Sequence, residues 1–508
     1  MLIGKKTVVI FLTQRISMLR KLWYSSILSS SLICFSLGAT QPEPENLIQS
    51  VVLGKRFIKV NINESFKKQW LKSDFFARYE QNINLNKMPY SIALLPFILN
   101  VYPVVWVSGK DYVVDCMDED VYYSLKKIKE VLQRLYPNTR LTGNIIPRML
   151  VKNTPTAPLL DSKKDVAVLY SSGLDSTACS FDHYDKNQLL ITAQGHGDLP
   201  VKKNSLWARR KKRLELYAQD HGFKNAFVKS NYSEFLNWTV LDAVSPEITS
   251  WRVDTTEGVG LFGIAAPILF ERGYTQLLIG SSYVWDYPFP TAANPLIDDN
   301  LKAASVITFK HEHFNLNRFD KVKLIVDRVR TKNAKIPHMK VCDYKQGSVN
   351  CCRYCAKCQT VMNALFALGE NPAPYGFNVP TDQIISRAQE YFAQGQGHWT
   401  SWNFADMQSK LKKLPYVNPE AQWLLTHNFM KKTSYHAAGA KTRVNWEDFK
   451  DLAPDSLEIP KISTRIYEAT NAKRRQENRR INYMRALERK KQAALVLLKK
   501  AAAKKNNP

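Results

Sequence analysis

Between Asp165 and about Lys340 short apolar runs, "VAVLY", "QLLITA", "NAFVKS" and "QLLIGSS", recur with helix-length stretches between them. A strand that rejoins its sheet in parallel needs a crossover of about a dozen residues or more, which a helix supplies. The pattern predicts an α/β layer architecture around a parallel sheet, with ligands bound outside the carboxyl ends of the strands. The first of those ends is the most informative. "DVAVLY" (165–170) has the β-branched and aromatic character of a buried strand and runs directly into "SSGLDST" (171–177), after which a helix can start. Backbone N–H groups, hydroxyls and a helix N-terminus gathered in one turn make an anion cradle. It is not a Walker A loop, because the closing glycine–lysine–Ser/Thr is absent. Ser171, Ser172 and Ser176 can donate to phosphate oxygens, Gly173 lets the backbone approach closely, and Asp175 can help hold Mg²⁺.

The second chemical signal is a cluster of thiols. Of eight cysteines, five fall between Cys342 and Cys358, in "VCDYKQGSVNCCRYCAKC" (341–358). Such clustering suits metal ligation in a reducing compartment better than a disulfide scaffold. Cys352, Cys355 and Cys358 form C-x2-C-x2-C with Cys342 upstream, the spacing of a closed tetrahedral Zn²⁺ site. Cys351 competes with Cys352, and the regular two-residue spacing favours Cys352. An iron–sulfur cluster is the rival occupant, since similar spacings serve it.

"SSGLDST" resembles the S-G-G-x-D-S signature of the PP-loop ATP pyrophosphatases, which grip the β- and γ-phosphates while the α-phosphate is attacked. The two motifs, in this order, resemble those of the 7-cyano-7-deazaguanine synthases of queuosine biosynthesis, and more closely the longer bacterial relatives associated with antiviral defence. The likeness covers roughly residues 70–370. It includes "PYSIALLPFILNVYPVVWVSG", "AQGHGD" (193–198), "GLFGIAAPILFERGYTQLLIGSS" (260–282), "NPLIDDN" (294–300) and "NRFDKVKLI" (317–325). It implies ATP and Mg²⁺ at Ser171, Ser172, Gly173, Leu174, Asp175, Ser176 and Thr177, with Asp175, Ser176 and Lys321 acting in catalysis. His196, Asp198, Ser281, Ser282, Asp298 and Arg318 would face the substrate, and Cys342, Cys352, Cys355 and Cys358 would hold Zn²⁺. Arg318 and Lys321 would neutralise the leaving pyrophosphate. Read without the likeness, "GHGD" is a turn, Ser281–Ser282 a helix cap, and Arg318 with Lys321 a solvated helix face. One departure matters. The signature's first glycine is Ser172 here, and if that position needs a positive φ a serine strains it.

The implied reaction is a ligation: ATP activates a carboxylate on a 7-deazaguanine-like base or a macromolecule, and ammonia or an amine attacks. A tRNA-modifying PP-loop enzyme and a non-catalytic nucleotide- or nucleic-acid-binding relative are the alternatives. The implied location is cytoplasmic, where ATP and free thiolates coexist.

Around this PP-loop ATP pyrophosphatase domain (160–370) the rest of the chain divides by composition. Residues 46–155 read as a small α+β domain, with strand-like "SVVLGKRFIKVNI" and "PVVWVSGKDYVVDCM" before a helix "DEDVYYSLKKIKEVLQRLY", and "VKNTPTAPLLDSKK" as the linker. Residues 371–470 look mainly helical. The formal charge is +27, and Lys473–Pro508 carries thirteen Lys/Arg against two Glu. Residues 471–508 therefore read as a basic helical tail suited to RNA or DNA phosphates, or to solvent alone. Residues 1–45 look like a leader: there is no Asp or Glu before Glu43, and the apolar stretch is too broken by serine to be read as a membrane span. A homodimer is the remaining expected partner.

Overall fold

The computed structural model describes residues 43–80, 83–287, 289–342, 350–351, 353, 355–431, 433–434 and 444–460. The expected leader up to residue 42 and the basic tail from 471 lie outside these residues. From Asn46 onward the described residues belong to one unit.

The chain opens with strands β1 (Ile48–Gly54), β2 (Phe57–Ile62) and β3 (Phe75–Tyr79), helix α1 (Glu64–Trp70) lying between the last two. Helix α2 (Leu95–Ser108), strand β4 (Tyr112–Asp118), helix α3 (Glu119–Leu135) and strand β5 (Ile145–Val151) come next. The alternating segment then gives β6 (Asp165–Leu169), α4 (Leu174–Asp182), β7 (Asn187–Gln194), α5 (Asn204–His221), β8 (Lys224–Ser230), α6 (Glu257–Arg272), β9 (Gln276–Gly280), β10 (Lys302–Ala303), β11 (Ile307–Glu312) and α7 (Arg318–Lys332). Helices α8 (Ala356–Ala367), α9 (Ile384–Ala393) and α10 (His398–Leu411) make the C-terminal part helical.

One nine-stranded sheet runs β10-β11-β9-β6-β7-β8-β3-β2-β1. Its centre, from β11 to β8, is parallel. Both flanks are antiparallel. Composition explains the difference. β7 is buried along five successive residues, Gln188–Thr192 with Ile191 near their centre, as a strand covered by helices on both faces must be. β2 alternates buried Ile58, Val60 and Ile62 with more exposed neighbours, as a flank open on one side does. Successive residues of the central strands serve two cores. Ala167, Leu189, Ile191 and Leu277 join the layer containing α2, α3 and α6, whereas Val166, Val168, Leu190 and Leu278 join the layer containing α4, α5, α7 and α8. Residues 46–155 thus share both a sheet and a core with the segment after the linker.

The run "PVVWVSGKDYVVDCM" is a strand only in its second half; the first half closes α2. Every residue from Leu95 to Trp106 is buried, and a helix apolar on all sides is a core helix whatever its β-branched content. It can lie close to α6 because Gly263 has no Cβ: one there would sit 2.7 Å from the Leu99 Cβ and 2.8 Å from the Leu95 carbonyl. This packing also accounts for the apolar stretch Arg252–Arg272, which is long and apolar enough to cross a membrane but is mostly buried inside the protein.

Candidate functional site

Strand β6 is where the sheet order reverses, with β7 and β8 to one side and β9 and β11 to the other. Loops leaving β6 and β9 at their carboxyl ends diverge from there, the place where open α/β sheets bind ligands. Ser171–Gly173 follows β6 and Ser281–Ser282 follows β9. Gly280 closes β9 because a Cβ at this position would collide with the Asp175 carbonyl of α4.

The β6 loop is knit by its own hydroxyls. The Ser171 N–H donates to Ser176 Oγ at 3.2 Å, the two hydroxyls lie 3.1 Å apart, and the Gly173 N–H donates to Ser171 Oγ at 3.3 Å. Gly173 caps α4 with no side chain of its own to bond the helix's leading N–H groups. Its φ of −74° is ordinary. The left-handed position is the preceding one: Ser172 has φ 64°. Its hydroxyl, almost fully buried, accepts from Arg213 Nη2 at 2.7 Å. Its carbonyl accepts from the Lys340 N–H at 2.8 Å.

Between the two loops, Lys321 Nζ donates to Asp175 Oδ1 at 3.0 Å and to the Ser281 carbonyl, while Ser282 Oγ donates to Asp175 Oδ2 at 3.0 Å. Burial pushes the Asp175 carboxyl up, but Lys321 and Arg318 together outweigh it and hold the group below the usual range. Arg318 and Lys321 are 6% and 1% exposed and occupy the first turn of α7. Cations there oppose the helix dipole. Asp175 opposite them and Asp320 in the same turn both act on Lys321.

The remaining expected residues fall into four groups. Leu174 and Thr177 are buried in the core beneath the loop, Thr177 beside the Tyr170 hydroxyl at 3.5 Å. Asp198 accepts from Arg210 Nη2 at 2.6 Å, and the same guanidinium donates to the Ser171 carbonyl at 3.0 Å, so this loop braces the first. Asp298 is fully buried and meets His311 Nδ1 at 2.7 Å. Burial pushes the Asp298 carboxyl well up and the His311 imidazole down to about 4.

His196 lines a small pocket with Asn100, Tyr232, Trp238, Arg252 and Glu257. The His196 and Tyr232 rings are near-parallel, 6.3 Å apart. Arg252 Nη1 donates to Glu257 Oε1 at 2.9 Å. Arg252 opens a π-helical turn, Arg252–Thr256, that leads into α6, and such turns are frequent at functional sites. The pocket residues other than His196, and the inward-facing Arg210 and Arg213, escaped the sequence reading. The only signal for the arginines was their three-residue spacing in a basic run.

The thiols do converge. The sulfurs of Cys342, Cys351, Cys355 and Cys358 all lie within 4.8 Å of one another. Cys351 and Cys358 are 3.9 Å apart; bonds of about 2.3 Å in a tetrahedron put neighbouring sulfurs about 3.8 Å apart. The cluster can therefore coordinate a metal ion, with Cys351 standing where regular spacing favoured Cys352; Cys352 lies outside the described residues. Comparison with family models, curated proteins and solved structures gives no match.

Proposed function

We propose that this protein is an ATP-dependent ligase of the PP-loop kind, similar to the 7-cyano-7-deazaguanine synthases, that activates a carboxylate on a 7-deazaguanine-like base. The observation that carries the reading is the pair of buried cations, Arg318 and Lys321, set against the dipole of α7 and facing Asp175 where the sheet order reverses. A polyphosphate would bring its negative charge to these two cations. Its β- and γ-phosphates would lie on the Ser171–Ser176 loop, with Asp175 held ionised to share Mg²⁺. A substrate carboxylate oxygen attacks the α-phosphorus, the bond to the β-phosphate oxygen breaks, and pyrophosphate leaves toward Arg318 and Lys321. Ammonia or an amine then attacks the acyl carbon and AMP departs. No protein nucleophile is needed: positioning and charge do the work. In the neighbouring pocket His196 and Tyr232 offer faces to a planar base, Glu257 an acceptor for its N–H groups and Arg252 a cation for its carboxylate. In the four-cysteine site Zn²⁺ would be structural, since three of its ligands, Cys342, Cys355 and Cys358, are buried.

The test supplies ATP·Mg²⁺ and ammonium with and without 7-carboxy-7-deazaguanine, and reads nucleotides and bases by mass spectrometry. AMP, pyrophosphate and an amide or nitrile product are expected. Asp175→Asn and Lys321→Met should each slow AMP formation by about 10²–10³-fold with the fold intact by circular dichroism. Absence of AMP under every condition, with folded and metal-replete protein, overturns the reading.

A further inference from the structure

The four-cysteine cluster and the β6 loop are separate in sequence, yet one short chain of hydrogen bonds joins them. Cys342, a member of the cluster, is two residues from Lys340, whose N–H holds the Ser172 carbonyl at 2.8 Å. The intervening peptide is fixed from both sides by Asn350, which neighbours Cys351. Its Oδ1 accepts from the N–H groups of Val341 and Cys342 at 3.0 and 3.1 Å. Its Nδ2 donates to the carbonyls of Met339 and Gly376, both at 2.9 Å. Lys340, 5% exposed, turns its ammonium back to the Cys342 carbonyl. Asn350 is itself 5% exposed, so each of these bonds is made out of water, where losing a partner is costly.

We infer that Asn350 and Lys340 are positioning residues through which a metal held by Cys342, Cys351, Cys355 and Cys358 fixes the conformation of the β6 loop. The metal ties Cys342 and Cys351 together, the Asn350 amide transmits that spacing to residues 339–342, and the Lys340 N–H holds Ser172 in its left-handed conformation. Ser172 needs such a hold, because a non-glycine residue keeps a positive φ only where its surroundings over-determine it. Loss of metal would leave the loop with Arg210, Arg213 and its own hydroxyls. That this loop receives phosphates rests on the function proposed above; the mechanical coupling does not.

Hydrogen exchange on the full-length protein, zinc-loaded and after chelation, tests the coupling without any ligand. Exchange in a peptide covering Ser171–Ser176 should quicken about tenfold when the metal is removed. In parallel, calorimetric titration with Mg·pyrophosphate should show about tenfold weaker binding. If chelation melts the whole chain, Asn350→Ala at full zinc content, checked by mass spectrometry, carries the test: the same loop should loosen while the metal stays. Faster exchange confined to residues 339–358, with Ser171–Ser176 unchanged in both arms, overturns the proposal. A loop that loosens on metal loss, in a protein that never binds pyrophosphate, upholds the coupling and removes the phosphate reading instead.

Discussion

Replacing Ser172 by glycine restores the residue that the loop's φ of 64° would ordinarily select. Strain relief favours the variant by about 1–2 kcal/mol. The greater freedom of an unfolded glycine takes back about 0.5–1 kcal/mol. The hydroxyl, however, is the partner of the Arg213 Nη2, and that guanidinium already has Nε and Nη1 buried without a hydrogen bond among the described residues. Burial lowers the Arg213 pKa to about 10, which shows how poorly its charge is compensated. Losing a hydrogen bond to a buried charge costs about 1.5–3 kcal/mol. The sum makes Ser172→Gly less stable by about 1.5 kcal/mol, although it removes a backbone strain. Urea unfolding of wild type, Ser172→Gly, Arg213→Met and the double variant would give a coupling of about 2 kcal/mol. A Ser172→Gly protein more stable than wild type, or a coupling below about 0.5 kcal/mol, would refute the argument that serine is kept for Arg213.

Three further outcomes are expected. Gly263→Ala should lower stability by about 1–2 kcal/mol, because overpacking against Leu99 and the Leu95 carbonyl exceeds the gain in helix propensity; equal or higher stability in urea would mean that α2 yields easily. Burial depresses the His196 pKa to about 3, so its contribution is fully present above the ordinary value of 6.5 and is lost as pH falls. Between pH 6.5 and 3 unfolding takes up a proton there, and wild type should lose up to about 1.4 kcal/mol per pH unit relative to His196→Gln; parallel stability–pH curves would contradict this. Cobalt(II) added to metal-free protein should give the intense thiolate charge-transfer band of a tetrahedral sulfur site, weakened in Cys351→Ser; an unchanged spectrum in that variant would exclude Cys351 as a ligand.

The parallel strands were readable because apolar runs with helices between them leave few other arrangements. The loop at Ser171 was readable because turn chemistry is local. The run "SVVLGKRFIKVNI" was readable as strand, but its place in the large sheet was not, since that depends on β3 meeting β8 some 150 residues later, a pairing supported by the Phe76 N–H donating to the Asn231 side chain. Helix α2 misled because "PVVWV" has strand propensity, and only its burial against α6 decides the matter. Arg210 and Arg213 sit among Arg209, Lys211 and Lys212, and no local rule says which face of α5 turns inward. The cysteine spacing pointed to a cluster that can hold a metal ion, but Cys351 joins it next to Asn350, whose anchoring no periodicity reveals.

The seam between β8 and β3 also decides what can be done with a shortened chain. Residues 160–370 look like a portable unit, but excising them would strip β8 of its antiparallel neighbour and α6 of the helix that covers Gly260 and Gly263. An open strand edge beside a bare apolar helix invites self-association. Fragment expression of the loop-bearing half should therefore yield aggregate. During synthesis β1–β3 can pair with one another at once, but the far edge of β3 stays open until β8 emerges.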